Sequence, residues 1–167
     1  MKYRVIGIGD GAEVDIEADS PSQATQEWAD TGSWEFQEGE RSMRYTCRVA
    51  PLGDDGEPME DEEVWEEVVI DPPEPDCASP DGHAWSQSLA LFGGIAENPG
   101  VQAHGGGVII REYCPHCGWG RETDTWDQSG GGTPYESVRY FRLDSDDPAM
   151  VMAHPREIER ILGEVEE

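Results

Sequence analysis

The residues best suited to chemistry in this sequence are thiols and an imidazole at metal-ligand spacing. Cys114 and Cys117 are separated by two residues and followed by Gly118. This spacing is typical of a zinc knuckle, a tight turn in which two thiolates hold one ion and glycine permits the turn. Upstream, Cys77 and His83 form a looser Cys-x5-His pair. Because zinc prefers four nitrogen and sulfur ligands in a tetrahedron, the sequence predicts a closed, structural Zn²⁺ site made by these four residues.

Other residues compete for places in this site. His104, which precedes three glycines, is the rival of His83 for the fourth ligand position. A catalytic zinc is an alternative, in which three protein ligands leave one position for water and Glu97 or Glu112 acts as the base. A redox Cys-x-x-Cys pair fits less well, because that pair needs a strand followed by a helix, whereas Gly-Trp-Gly follows here.

The composition is strongly acidic. The chain carries 37 Asp and Glu against 11 Lys and Arg, a formal net charge of −26. Such a surface repels phosphates, which argues against free nucleic acid and anionic membranes as ligands. A basic protein surface is the favoured partner, because opposite charges accelerate association. Adaptation to a salty habitat is the alternative origin of the acidity, and the sequence leaves it open.

The acidic residues are densest between residues 54 and 71, where Lys and Arg are absent. We therefore predict that a basic partner binds along this stretch. The predicted partner-binding residues are Asp54, Asp55, Glu57, Glu60, Asp61, Glu62, Glu63, Glu66 and Glu67.

Apolar periodicity and turn residues predict an α+β protein with two domains. Residues 1–71 are predicted to form a small acidic ββαββ domain, and 72–76 a proline-rich linker. Residues 77–143 are predicted to form a β-rich, zinc-ribbon-like or treble-clef-like domain. Residues 144–167 supply a C-terminal helix, which Pro155 is expected to break or kink.

Local patterns place the individual elements. In the first domain the predicted strands span 2–8, 12–18, 42–50 and 63–70. Ser20 and Pro21 predict the start of a helix, and Cys47 is expected in the core rather than on a metal. In the second domain we predict a short helix over 85–92, strands over 108–113, 119–126 and 135–143, and a glycine-rich turn over 128–134.

Several motifs of the second half stand out together. They are His83-x-Trp85, Glu97-Asn-Pro-Gly-Val101, His104-Gly-Gly-Gly107, Cys114-x-x-Cys117-Gly118, Arg121 and Thr123-Asp-Thr-Trp126. With these motifs, the stretch from Cys77 to Tyr140 resembles small, acidic, uncharacterised proteins of phages and mobile elements. The resemblance implies a common zinc-ribbon-like fold and brings no activity with it.

The leading hypothesis is a non-enzymatic, zinc-stabilised acidic binding protein. It would act as a phage or mobile-element DNA mimic that inhibits a host defence or nucleic-acid-binding protein. One alternative is a small zinc-dependent enzyme or nucleic-acid-processing accessory, with His104, Glu97, Arg121 and Asp124 near the metal. No nucleophile elbow, P-loop or dinucleotide fingerprint is present to support that alternative.

A second alternative is a structural zinc protein from a salt-adapted organism. The sequence has no signal peptide and no apolar stretch long enough to span a bilayer. We therefore expect a cytoplasmic protein, which would act in the host cytoplasm if a phage encodes it.

Overall fold

The computed structural model describes residues 1–9, 11–126, 135–151 and 153–165. It contains helices and antiparallel sheets, so the chain is a mixed α+β protein. The chain divides into two compact units. The first comprises Met1–Glu35 and Met43–Ile70, and the second comprises Phe36–Ser42 and Asp71–Glu167. None of the helices in the described ranges is long and apolar enough to cross a membrane.

The first unit is a four-stranded antiparallel sheet with one helix packed on it. Its elements are β1 (Lys2–Gly7), β2 (Glu13–Glu17), α1 (Pro21–Thr31), β3 (Met43–Pro51) and β4 (Val64–Ile70). The strands lie in the order β2-β1-β3-β4, so β4 is an edge strand. A short 3₁₀ turn, Glu60–Glu62, precedes β4.

Helix α1 begins where the sequence predicts it. The Ser20 hydroxyl accepts a hydrogen bond from the Gln23 amide, and Pro21 occupies the first turn. Both features satisfy or remove backbone donors that a helix start leaves unpaired. Trp28 is buried on the sheet side of the helix, and Cys47 is fully buried in the core as predicted.

The second unit is built on another four-stranded antiparallel sheet, in the order β10-β9-β8-β7. Its strands are β7 (Val101–His104), β8 (Gly107–Tyr113), β9 (Trp119–Trp126) and β10 (Tyr135–Arg142). Before them come α2 (Leu89–Phe92) and a two-stranded ribbon of β5 (Gly94–Ile95) and β6 (Asn98–Pro99). The predicted glycine-rich turn at 128–134 lies outside the described residues.

The end of the chain differs in detail from the prediction. A 3₁₀ turn at Pro148–Met150 is followed by helix α3, Pro155–Val165. Pro155 therefore begins a helix rather than kinking one, because a first-turn position needs no amide donor. Ile161 of α3 is fully buried in one cluster with Leu91, Phe92, Phe141, Leu143, Ala149 and Met150. Helix α3 thus belongs to the core of the second unit.

Two segments that the sequence analysis places outside the second domain also belong to the second unit. Residues 36–42 fall within the predicted 1–71 domain, but the Gly39 amide donates to the Tyr140 carbonyl and the Ser42 amide to that of Val138. Residues 72–76, predicted as a linker, are also part of this unit, and Pro72 is buried. Backbone hydrogen bonds to β10 explain the first reassignment, and no local pattern in the sequence signals them.

A buried ion cluster crosses the sheet of the second unit. Glu122 is fully buried and lies opposite Arg111 on one side and Arg139 on the other. Both arginines donate to its carboxylate, at 2.7 Å from Arg111 and 2.9 Å from Arg139. Arg41 donates to the same carboxylate, and Asp147 accepts two hydrogen bonds from Arg139. The cluster therefore joins three strands, the 36–42 segment and the residues before α3.

We expect Glu122→Gln to destabilise the second unit by about 3 kcal/mol, because it leaves three arginines around a neutral group. Urea unfolding at neutral pH measures this loss. Glu112→Gln is the matched control, since Glu112 pairs with one partly exposed arginine, Arg121, and such pairs contribute about 1 kcal/mol or less. Equal losses in the two variants would contradict the role given to Glu122.

The same cluster determines how the stability of the second unit changes at acidic pH. Burial opposes ionisation of Glu122, but its hydrogen bonds to Arg139 and Arg111 lower its pKa from 4.5 to about 2. A lowered folded-state pKa gives stability that is complete above the unfolded value and is lost as the pH falls through the folded value. Stability should therefore fall between pH 4.5 and 2, and Glu122→Gln should flatten that part of the profile.

Candidate metal centre

A tight turn between β8 and β9 carries two of the four thiols. Cys114 directly follows β8, and Cys117 precedes β9 by one residue, Gly118. The Gly118 amide donates to the Cys114 carbonyl, and the Cys114 amide donates to the Trp119 carbonyl. Gly118 has a φ of 71°, a left-handed conformation that favours glycine. This turn brings the two thiols close enough to bind one ion.

The other two candidate ligands lie on an upstream arm, residues 71–88, which turns at 79–82. Ser86 pairs with Tyr113 at the end of β8, and the two residues exchange both backbone hydrogen bonds at 2.8 Å. This bridge fixes the arm beside the turn. His83 lies three residues before the bridge and Cys77 nine residues before it, so both come within reach of the two thiols.

The four ligand atoms form a compact group. The thiols and imidazole of Cys77, His83, Cys114 and Cys117 each offer one ligand atom, and all lie within 4.8 Å of one another. The Cys77 and Cys114 sulfurs are 3.8 Å apart, and the Cys117 sulfur is 3.3 Å from His83 Nδ1. A tetrahedral zinc with ordinary bond lengths would separate two sulfurs by about 3.8 Å and a sulfur from a nitrogen by about 3.5 Å. The residues therefore fit a metal ion.

His83 is oriented for coordination by its second nitrogen. Its Nε2 lies 2.6 Å from the Pro75 carbonyl oxygen. Since a carbonyl can only accept, Nε2 carries the proton and Nδ1 presents its lone pair to the thiols. Metal-bound histidines commonly donate their other N–H in this way. The indole of Trp85 stacks on the imidazole at 4.5 Å between centroids, which limits its rotation and its exposure to water.

The thiols do not ionise equally on their own. Burial opposes ionisation of Cys114, but hydrogen bonds with the backbone at Ala84 and His116 lower its pKa to about 6. Burial raises the pKa of Cys117 to about 12, and the adjacent Cys114 thiolate adds to the rise. One thiolate thus suppresses the next. A shared dication removes this conflict, because metal coordination deprotonates thiols outright.

The donor set favours a structural role. Four protein ligands complete the tetrahedron that zinc prefers, whereas catalytic zinc keeps one position for water. Within the described ranges, no fifth residue joins the group. The arrangement can therefore hold the 71–88 arm against the β8–β9 turn, and it offers no coordination position for a substrate.

The residues proposed for an enzyme are not gathered around this group. His104, the rival ligand, directs Nε2 at Asp124 Oδ1 over 2.7 Å and is not one of the four. Glu97 is exposed in the turn of the β5–β6 ribbon. Arg121 pairs with Glu112, and its guanidinium lies 4.7 Å from the centroid of the Trp85 ring. Of these residues, only Arg121 approaches the metal group, and it does so through Trp85.

The nine acidic residues predicted to bind a partner lie on the first unit. Six of them are exposed in the loop over residues 54–62, which we call the acidic loop. They are Asp54, Asp55, Glu57, Glu60, Asp61 and Glu62. The other three are Glu63, just before β4, and Glu66 and Glu67 within β4. Glu63 pairs with Arg48 at 3.7 Å, and Glu67 pairs with Arg44. In the described part of the chain, no ion pair involves the remaining seven.

Two parts of the site escaped the sequence analysis. The Pro75 carbonyl and the Trp85 ring orient His83, but a backbone acceptor eight residues away leaves no trace in residue types. The Glu122 cluster also depends on strand register. Only the pairing of β8, β9 and β10 shows that Arg111, Glu122 and Arg139 form one row.

No protein-family model, curated protein or solved structure matches the chain. The role of the site therefore follows from its own geometry.

We expect His83→Ala to reduce zinc binding and His104→Ala to leave it unchanged. His83 is within the four-residue group, whereas His104 pairs with Asp124. Metal analysis of the purified variants and competition with a coloured chelator measure this. If His83→Ala still bound one zinc tightly and His104→Ala lost it, His104 rather than His83 would be the fourth ligand.

We also expect chelation to loosen the second unit more than the first, because metal-binding free energy acts as folding free energy. Hydrogen exchange with and without a strong chelator measures this by segment. Amides of β8 and β9 should lose protection, whereas those of β1 and β3 should keep it. Equal protection in both conditions would contradict a stabilising metal.

Proposed function

We propose that this protein is a non-enzymatic, zinc-stabilised binding protein that docks its acidic loop on a basic surface of another protein. The favoured partner is a nucleic-acid-binding protein, such as a host defence factor, whose basic groove the loop would occupy in place of DNA. The resemblance to small acidic phage and mobile-element proteins favours a partner of this kind. The protein would then act as a DNA mimic and inhibitor.

The metal in this proposal is zinc, and the fold around it is of the zinc-ribbon type. Three thiols and one imidazole are soft and borderline ligands that suit zinc better than magnesium or calcium. The turn between β8 and β9 supplies one pair of ligands, and the upstream arm supplies the other. This two-part arrangement is what a ribbon-like or treble-clef-like site needs.

The observation that carries the proposal is the unpaired charge of the acidic loop. The arginines of β1 and β3 pair with other acids: Arg4 with Asp15, Arg44 with Glu67 and Arg48 with Glu63. The six loop acids are exposed and form no ion pair within the described chain, although Arg4 attracts Glu57 from a greater distance. Solvent ions or an opposing basic surface would relieve their mutual repulsion.

An exposed tryptophan lies next to the acids. Trp65 of β4 is 63% exposed, an unusual position for a large aromatic ring. It lies opposite Arg48 in the strand register, between Glu63 and Glu67 on the same face of the sheet. Tryptophan is enriched among residues that dominate binding energy at interfaces. Trp65 would therefore supply apolar contact where the acids supply charge.

An enzymatic function has one observation in its favour, the His104–Asp124 pair. A carboxylate that fixes one imidazole nitrogen can prepare histidine to act as a base. However, the pair is not part of the metal group. The four-ligand set also leaves no position for an activated water. Binding through the acidic loop therefore has the stronger support.

A charge-matched comparison tests the binding function. The loop variant Glu57→Gln, Glu60→Gln, Glu62→Gln removes three exposed charges, and the control Glu13→Gln, Glu17→Gln, Glu159→Gln removes three elsewhere. Immobilised wild-type protein should capture a basic, nucleic-acid-binding protein from host lysate at low salt. The loop variant should bind that protein roughly tenfold more weakly, and the control should bind nearly as wild type.

Added salt should release the partner, because screening weakens exposed charge pairs. Duplex DNA should compete with the acidic protein for the captured partner. The proposal would be wrong if neither salt nor DNA released the captured protein. It would also be wrong if the loop variant and the control variant weakened capture equally.

A further inference from the structure

The second unit contains a cleft of about 350 Å³ that no function above uses. One wall is the 36–40 segment and another is the 72–76 segment. Trp119 of β9 and Tyr140 of β10 line it from the same face of the sheet. Its volume is at the small end of ligand pockets, which suits one side chain better than a nucleotide cofactor.

The cleft combines aromatic surface with negative charge. Phe36 joins Trp119 and Tyr140 in its lining, and prolines of the 72–76 segment add apolar surface. The same lining contains four carboxylates, Glu38, Glu40, Glu74 and Asp76, and all four residues are exposed. In the described part of the chain none of these acids forms an ion pair, and no basic residue lines the cleft.

The charges already present favour a cation and oppose an anion. Glu74 accepts a hydrogen bond from the Trp85 indole at 3.2 Å, and Glu40 accepts one from the Gln37 amide. Neither contact neutralises a carboxylate. Burial and the Glu74 charge raise the pKa of Tyr140 against the opposing charge of Arg121, so its hydroxyl stays protonated. A phosphate or carboxylate ligand would be repelled, and a neutral ligand would desolvate the acids without compensation.

Two arginines on the same sheet face already make cation–π contacts with tryptophan rings. Arg142 lies 5.1 Å from the centroid of the Trp119 ring, and Arg121 lies 4.7 Å from that of Trp85. A guanidinium is flat, weakly hydrated and always charged, so it can stack on a ring and donate to carboxylates at the same time. An ammonium group can do only part of this.

We propose that this cleft binds an arginine side chain of a basic partner protein, with its guanidinium against Tyr140 and the face of Trp119 that Arg142 leaves uncovered, and within reach of the carboxylates at the rim. The source of the arginine rests on the proposed function, which requires a basic partner. The cleft and the acidic loop belong to different units of the chain. The two can therefore be tested separately.

The test uses the zinc-loaded full chain and three capped tripeptides: Gly-Arg-Gly, Gly-Lys-Gly and Gly-citrulline-Gly. Citrulline keeps the planar shape of arginine and lacks its charge. Nuclear magnetic resonance titration follows the indole N–H of Trp119, assigned with a Trp119→Phe variant. The arginine peptide should shift this resonance saturably, the lysine peptide should bind more weakly, and the citrulline peptide should not bind.

Two matched double variants show which carboxylates contribute to binding of the arginine peptide. Glu38→Gln with Glu40→Gln should weaken binding of the arginine peptide on the order of tenfold, since both acids line the cleft. Glu57→Gln with Glu60→Gln removes the same charge from the acidic loop and should leave binding unchanged. All four residues are exposed, so these variants should fold.

Three outcomes would overturn the cleft assignment: an unshifted Trp119 resonance, equal binding of the citrulline peptide, or equal weakening in the two double variants. If the peptide binds as expected but no basic protein is captured through the acidic loop, the proposed function fails and the cleft stands. If a basic protein is captured but the arginine peptide does not bind, the cleft assignment fails and the proposed function stands.

Discussion

Three thiols and one imidazole of the second unit lie close enough to share one cation, and the attraction between them and that cation would hold together segments far apart in sequence. Brought together without a metal, the thiols oppose one another's ionisation, as the contrasting pKa values of Cys114 and Cys117 show. A dication would turn this repulsion into a link between residues far apart in sequence. That link would add to the Ser86–Tyr113 bridge in holding the 71–88 arm, and the 72–76 part of the arm forms a wall of the aromatic cleft.

Positive charge is scarce in this chain, and its placement is informative. Only 11 residues are Lys or Arg, and three of them converge on the buried Glu122. Burial of Glu122 and of most of Arg139 has a desolvation cost that their mutual attraction must offset. The arrangement also leaves fewer cations for the surface. In the described part of the chain, the exposed acids in the loop over 54–62 and at the rim of the cleft form no ion pair and remain accessible to an external partner.

How much of this could be read from the sequence depends on the range of each interaction. Local spacing and periodicity predict the four candidate ligands, the start of α1 at Ser20 and the burial of Cys47. The structure places the four ligands together, begins α1 after Ser20 and buries Cys47. The hydrogen bonds of the 36–42 segment to β10 are nonlocal, so the sequence does not indicate that this segment belongs to the second unit. The row of Arg111, Glu122 and Arg139 follows only from the register of β8, β9 and β10. Pro155 is ambiguous in the sequence, because proline both ends and begins helices.

The proposal of binding rests on a contrast between two kinds of polar group in this protein. Catalysis needs charged groups whose ionisation is tuned in a protected cleft, with a position where a substrate atom can react. Here the protected groups are already satisfied, since Glu122 is held by arginines and His83 by the Pro75 carbonyl. The carboxylates of the acidic loop and of the cleft rim are exposed, and within the described chain none of them forms an ion pair. Carboxylates in that position can attract a cationic surface, and the proposed binding function depends on that attraction.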